Sequence, residues 1–202
     1  MNEERLNTAS HAIGVVLGVV GLFVLLYFNT NKTTFALFSL VVYGASIIVL
    51  YTASTLYHAA TTKALKEKYR ILDHSSIYVL IAGTYTPVAL ITLESGNGWL
   101  IFWVVWGIAL LGIILKLFFT GRFEAISLLL YLAMGWLIVL DYSSLVASVS
   151  PFALNLLMLG GAFYTFGIVF YAIHKIPYNH FIWHLFVLAG SISHFFFILT
   201  LL

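Results

Sequence analysis

Seven long runs of apolar residues, almost free of charge, dominate this chain and decide what it can become. They fall at roughly 10–28, 35–57, 75–93, 99–118, 125–140, 152–173 and 181–202. A helix needs about 20 residues to cross the hydrocarbon core of a bilayer, and these runs are close to that length. The connecting segments are short, so consecutive spans must alternate in direction. Only 8% of the 202 residues are charged and 62% are hydrophobic, which leaves too little polar surface to cover a water-soluble globule. Backbone groups in lipid have to be satisfied within the segment, so the spans are helices. The expected fold class is all-α: one polytopic membrane domain over residues 1–202, built as a seven-helix bundle.

The distribution of Lys and Arg orients the bundle. With the N-terminus inside, Arg5, Lys63, Lys66, Lys68, Arg70, Lys116, Arg122 and Lys175 all fall on the cytoplasmic side, and Lys32 alone falls outside. Such a bias is the signature of inside loops; it accounts for the basic run at 63–70 and places the C-terminus outside. The first apolar run reads as a span that is kept, not as a cleaved leader. The expected location is the cell (plasma) membrane. Net charge is only +2, so nucleic acid is not an expected partner; membrane lipids are. Oligomeric state is not legible, since glycine faces such as Gly14, Gly18 and Gly21 serve packing within a bundle as well as between chains. Pro87 inside the third span, after Thr84 and Thr86, is expected to kink the helix with the threonine hydroxyls covering the freed backbone.

Ionisable groups near a bilayer are costly and point to function. Here they gather at one depth. Glu4, Asn7 and His11 stand at the inner start of the first span, Ser54 and His58 at the inner end of the second, and Asp73 and His74 at the inner start of the third. His174 follows the sixth, and His180 and His184 open the seventh. His194 lies ten residues beyond His184, roughly 15 Å deeper at 1.5 Å rise per residue. His180 and His184 share a helix face at a spacing of four, which suits chelation of one divalent ion. His58 can supply a third nitrogen from a neighbouring helix. Three histidines with an open position resemble a catalytic zinc site more than a closed structural one. With no cysteine in the chain, a thiolate site is excluded. His74 and His174 read as solvated boundary residues, and His194 as a buried, hydrogen-bonded histidine.

These motifs carry a family resemblance. Glu4, Asn7 and His11 form Glu-x-x-Asn-x-x-x-His; Ser54 and His58 form Ser-x-x-x-His, followed by Asp73; His180 and His184 form His-x-x-x-His. In this order, over the whole chain, they resemble the hemolysin III group of the progestin and adipoQ receptor (PAQR) superfamily. The resemblance implies a seven-helix bundle with zinc held by His58, His180 and His184. It also implies that Asp73 lies near the metal and its water, and that Ser54 positions water or a substrate carbonyl. Similarity to lipid amidohydrolases such as ceramidases makes a zinc-dependent membrane hydrolase of lipid amides or esters the expected function. Asp73 would then act as base or orient water, and Ser54 would donate to the developing oxyanion. The alternatives are a membrane-state sensor or receptor-like protein with structural zinc, a transporter, and a protein causing cytolysis. Transporters bind near the midplane, often between internal repeats, and neither feature is present.

Overall fold

The computed structural model describes residues 3–202. The chain forms α1 (Glu3–Phe28), α2 (Ala36–Ala59), α3 (Lys63–Pro87), α4 (Gly98–Phe119), α5 (Glu124–Gly135), α6 (Tyr142–Ser148), α7 (Pro151–Ala172) and α8 (Asn179–Leu199). No strand occurs among the described residues. Because α5 and α6 share one span, the helices make seven segments long and apolar enough to cross a membrane. The chain is a multi-pass integral membrane protein, with many large apolar side chains turned outward, including Phe23, Leu110 and Phe152. On a water-soluble protein such a surface would be untenable; in a bilayer it faces lipid.

The helices pack as a ring. α1 lies against α2, α2 against α3, and α3 against α4, while α7 pairs with α8 and α8 returns to α1. The α1–α2 seam depends on glycine. A side chain at Gly14 would run into the Tyr51 ring, and one at Gly18 would meet Ile47 Cγ2 at 2.8 Å. Removing those side chains is what lets the backbones approach, as the sequence pattern predicts. The far end is tied by the loop after α1: Lys32 Nζ donates to the Leu201 carbonyl at 2.8 Å, and Thr30 Oγ1 donates to that of Leu202 at 2.6 Å.

Three details differ from the sequence expectation. α3 begins at Lys63, twelve residues before the apolar run, because the basic segment 63–70 continues the same helix. Beyond Pro87 the chain widens into a π turn over Val88–Thr92. A proline lacks the N–H that would bond the carbonyl four residues back, but Thr84 and Thr86 do not cover that group. They donate to the carbonyls of Leu80 and Ala82, and the Thr86 hydroxyl also accepts from Trp106 Nε1. Finally, the fifth span is broken by a 3-10 turn at Leu137–Asp141. Tyr85 closes that break, donating to the Gly135 carbonyl at 3.0 Å and accepting from the Ile138 amide at 2.9 Å. Trp136 Nε1, at the same break, donates to Thr165 on α7.

Among the helices lies a partly open apolar cavity of about 130 Å³, walled by α2, α3, α5, α7 and α8. Its lining includes Leu50, Leu80, Tyr131, Trp183, Val187 and His194.

Candidate metal centre

His58 occupies the last turn of α2, and His180 and His184 the first two turns of α8. The start of α8 is fixed by Tyr178, in left-handed backbone geometry (φ 56°), and by Asn179, whose Nδ2 donates to the Phe170 carbonyl at 3.0 Å. One turn in, Gly167 on α7 gives room for Trp183 and Phe186. The result is that one nitrogen from each of His58, His180 and His184 lies within 4.8 Å of the others. The Nε2 atoms of His58 and His180 are 3.2 Å apart. His58 and His184 are buried, so the cluster is sheltered from bulk water.

The opposite ring nitrogens are already engaged. His58 Nδ1 lies 2.7 Å from Glu4 Oε2. A carboxylate can only accept, so this nitrogen carries the proton and a neutral His58 turns the lone pair of Nε2 toward the cluster. Glu4 Oε1 accepts from Lys66 Nζ at 2.6 Å. His184 Nδ1 lies 3.3 Å from Ser10 Oγ, which leaves its Nε2 for the cluster. Three imidazoles, one backed by a carboxylate, form a donor set suited to a zinc ion, and the carboxylate–histidine pairing is the usual support of such ligands. These residues can hold a metal ion.

Ser54, buried, stands one turn before His58 on α2, near the Asp73 carboxyl on α3. Asp73 is partly buried and lies outside the three-nitrogen cluster. Helical register places both residues at the cluster end of the cavity. Leu50, Ser54 and His58 follow one another at intervals of four on α2; Asp73 continues the α3 stripe that lines the cavity at Ile77, Leu80, Ile81 and Thr84.

Two other histidines behave as the sequence indicated. His174 is exposed, and His194 is partly buried with Nε2–H donating to the Leu157 carbonyl at 3.2 Å. His74 does not. It is buried, with Nδ1 3.6 Å from Glu124 Oε1. Glu124 also takes Lys116 Nζ at 2.9 Å and Arg70 Nη2 at 3.4 Å. The rotation of α3 turns His74 toward α4 and α5, where this ionic cluster replaces solvent. Sequence reasoning assigned no role at the site to Ser10, used Lys66 only to orient the bundle, and left Glu4 open. The spacing of Glu4, Asn7 and His11 on one face of α1 was the available signal, since it aims that face at the α2–α8 seam.

The haemolysin-III-related family model matches residues 1–195. The chain belongs to that family. It is 44% identical to the Hemolysin-3 homolog of Bacillus subtilis (strain 168) over 200 residues, covering 98% of this chain and 94% of the relative. Identity to Hemolysin-3 of Bacillus cereus is 42%, covering 98% and 91%. Monocyte to macrophage differentiation factor of Homo sapiens is a more distant relative at 26%, covering 96% and 82%. The resemblance to hemolysin III drawn from the ordered motifs is thereby established, as is the link to a wider family reaching into animals.

Proposed function

We propose that this haemolysin-III-family protein is a zinc-dependent hydrolase of membrane lipids, cutting an amide or ester linkage at the cytoplasmic interface of the plasma membrane. The observation that carries the reading is the convergence of His58, His180 and His184 beside an apolar cavity. Along α8 the cavity wall extends from Trp183 and Val187, flanking His184, to His194, about 15 Å from His184 at helical rise. A lipid can seat its tail in this space with its linkage at the histidines. The excess of Lys and Arg at that end of the bundle supports an inside N-terminus and a cytosolic supply of water.

Zinc, when bound, supplies a Lewis acid that polarises a carbonyl and makes water a nucleophile near neutral pH. Glu4 holds the His58 ring with Nε2 unprotonated. Asp73 accepts the proton from the attacking water, or orients that water, and later returns the proton to the leaving group. The Ser54 hydroxyl donates to the Asp73 carboxylate at rest; once Asp73 has taken the proton, that single O–H is free to turn toward the developing oxyanion. The apolar cavity walls exclude water from the tail.

Elemental analysis of the purified wild type and of His58→Ala, His180→Ala and His184→Ala tests the metal. About one zinc per chain is expected for the wild type, lost in each variant. Incubation with vesicles of mixed lipid amides and esters, read by mass spectrometry, tests turnover; Asp73→Asn should retain metal and lose activity. Stoichiometric zinc with no turnover on any lipid class would leave a sensor with structural zinc. Wild type without metal, purified free of chelator, would end the hydrolase reading. Lysis of red cells, which the name of the Bacillus cereus relative evokes, would here be secondary to lipid cleavage and disappear in the histidine variants.

A further inference from the structure

Helix α1 contributes no ligand to the histidine cluster, yet it touches two of the three rings. Glu4 reaches His58, and Ser10 reaches His184. The third contact has a different character. His11 lies flat on His184, with ring centroids 3.5 Å apart and planes inclined by 9°. His11 is 3% exposed, and neither of its ring nitrogens makes a hydrogen bond. The backbone carbonyl of His184 comes near without hydrogen-bond geometry. Burying an imidazole in this way is unfavourable, since each unpaired polar group loses its bonds to water without replacement. Hydrogen bonding therefore does not explain why His11 is there. What it offers its surroundings is the face and the edge of a flat ring.

Both are used. The face covers His184. His11 also meets the Tyr51 ring in a T-shaped contact, with centroids 5.0 Å apart and planes at 83°. Tyr51 cannot drift, because its hydroxyl donates to Ser191 Oγ at 2.8 Å and approaches the Val187 carbonyl at 3.4 Å, both on α8. Gly14, one turn after His11 (three residues on), leaves no side chain between α1 and that tyrosine. His11 is thus a wedge between a ring bolted to α8 and a ring that belongs to the cluster.

We propose that His11 is a positioning residue of the metal centre: wedged by Tyr51, it fixes the plane of the His184 imidazole so that Nε2 faces His58 and His180. This rests on the reading of those three histidines as a metal site. Ser10 fixes the far nitrogen of His184, and His11 fixes the tilt that a single hydrogen bond leaves free. Ligand orientation matters because a metal bond requires the lone pair to point at the ion, and supporting contacts of this kind commonly change affinity 10- to 100-fold.

The test uses full-length protein in detergent, with zinc affinity from chelator competition and the visible absorption of the cobalt(II)-substituted form as a report on ligand geometry. His58→Ala is run alongside; if it binds cobalt like the wild type, the metal reading itself fails, and the His11 question falls separately from it. With that control satisfied, His11→Ala is expected to weaken zinc binding about 10-fold and to alter the cobalt bands, while the melting temperature of the metal-free protein changes little. His11→Phe, which keeps a flat face without nitrogens, is expected to restore affinity to within about threefold. If His11→Ala does not fold, Tyr51→Phe takes its place: it keeps the ring and frees it from α8, and should shift the cobalt spectrum in the same sense. Wild-type affinity and spectrum in His11→Ala would overturn the proposal. So would a His11→Phe variant that folds but binds as weakly as His11→Ala, because His11 would then act through a nitrogen, as a ligand.

Discussion

Glu4 and Lys66 are expected to move metal affinity in opposite directions. Glu4 Oε2 takes the Nδ1 proton of His58 at 2.7 Å, and Oε1 takes Lys66 at 2.6 Å. A carboxylate on the far nitrogen makes an imidazole a better donor, and losing such a partner typically costs about 10- to 100-fold in affinity, or about 1.4–2.7 kcal/mol. The Glu4 side chain is 43% exposed, so solvent screens part of this effect. Glutamine also keeps an oxygen that can accept from Nδ1. Glu4→Gln should therefore fall at the lower end, about 10-fold weaker, and Glu4→Ala further along the range. Lys66→Gln removes the cation that balances Glu4, leaving more negative charge on the His58 side, and should bind zinc as tightly as the wild type or a few-fold tighter. The double variant should resemble Glu4→Gln, because Lys66 acts through Glu4. Competition against a chromophoric chelator at fixed pH and ionic strength measures all four proteins. A Glu4→Gln protein with wild-type affinity, or a Lys66→Gln protein that binds much more weakly, would refute the reasoning.

The remaining expectations concern the frame around the centre. Lys116 has a side chain only 2% exposed and is paired with Glu124 at 2.9 Å; Glu124→Gln should cost roughly 3 kcal/mol, and the double Glu124→Gln, Lys116→Met should recover much of it in thermal melts followed by tryptophan fluorescence. Gly18→Val should lose about 1–3 kcal/mol through overpacking against Ile47, whereas Gly107→Ala, with nothing within 4 Å of the added carbon, should melt like the wild type. Gly161 faces the cavity, so Gly161→Phe should keep zinc content while reducing turnover of long-chain lipids more than 10-fold; equal losses of metal and activity would mean that the cavity is not the tail site.

The spans were legible because a helix in lipid must be apolar throughout, and composition alone carries that signal. Their ends were not, since a helix such as α3 can leave the membrane as a charged segment without changing its backbone. The histidine cluster was legible in outline: spacing puts His180 and His184 on one face, and depth brings His58 to their level. Rotation about the helix axis was missing from the sequence reading. It decides that His74 turns toward Glu124 and away from solvent, and that Lys116, which counts as a boundary charge in the topology argument, is enclosed. It also decides that Ser10 and His11 both fall on His184. Hydropathy and depth do not encode that angle; packing against neighbouring helices fixes it.

The seat of α1 against both α2 and α8 carries a consequence for how the protein is made. Two of the three histidines of the cluster come from the last helix, while the supporting contacts of His184 and of His58 come from the first. α1 and α2 are synthesised first, so Glu4 and His58 are present early, but the three-histidine set is incomplete until α8 arrives with His180 and His184. Metal uptake would then report that the whole bundle is assembled. A chain stalled or cut before α8 would be left with one histidine of the cluster, His58, and no centre to load.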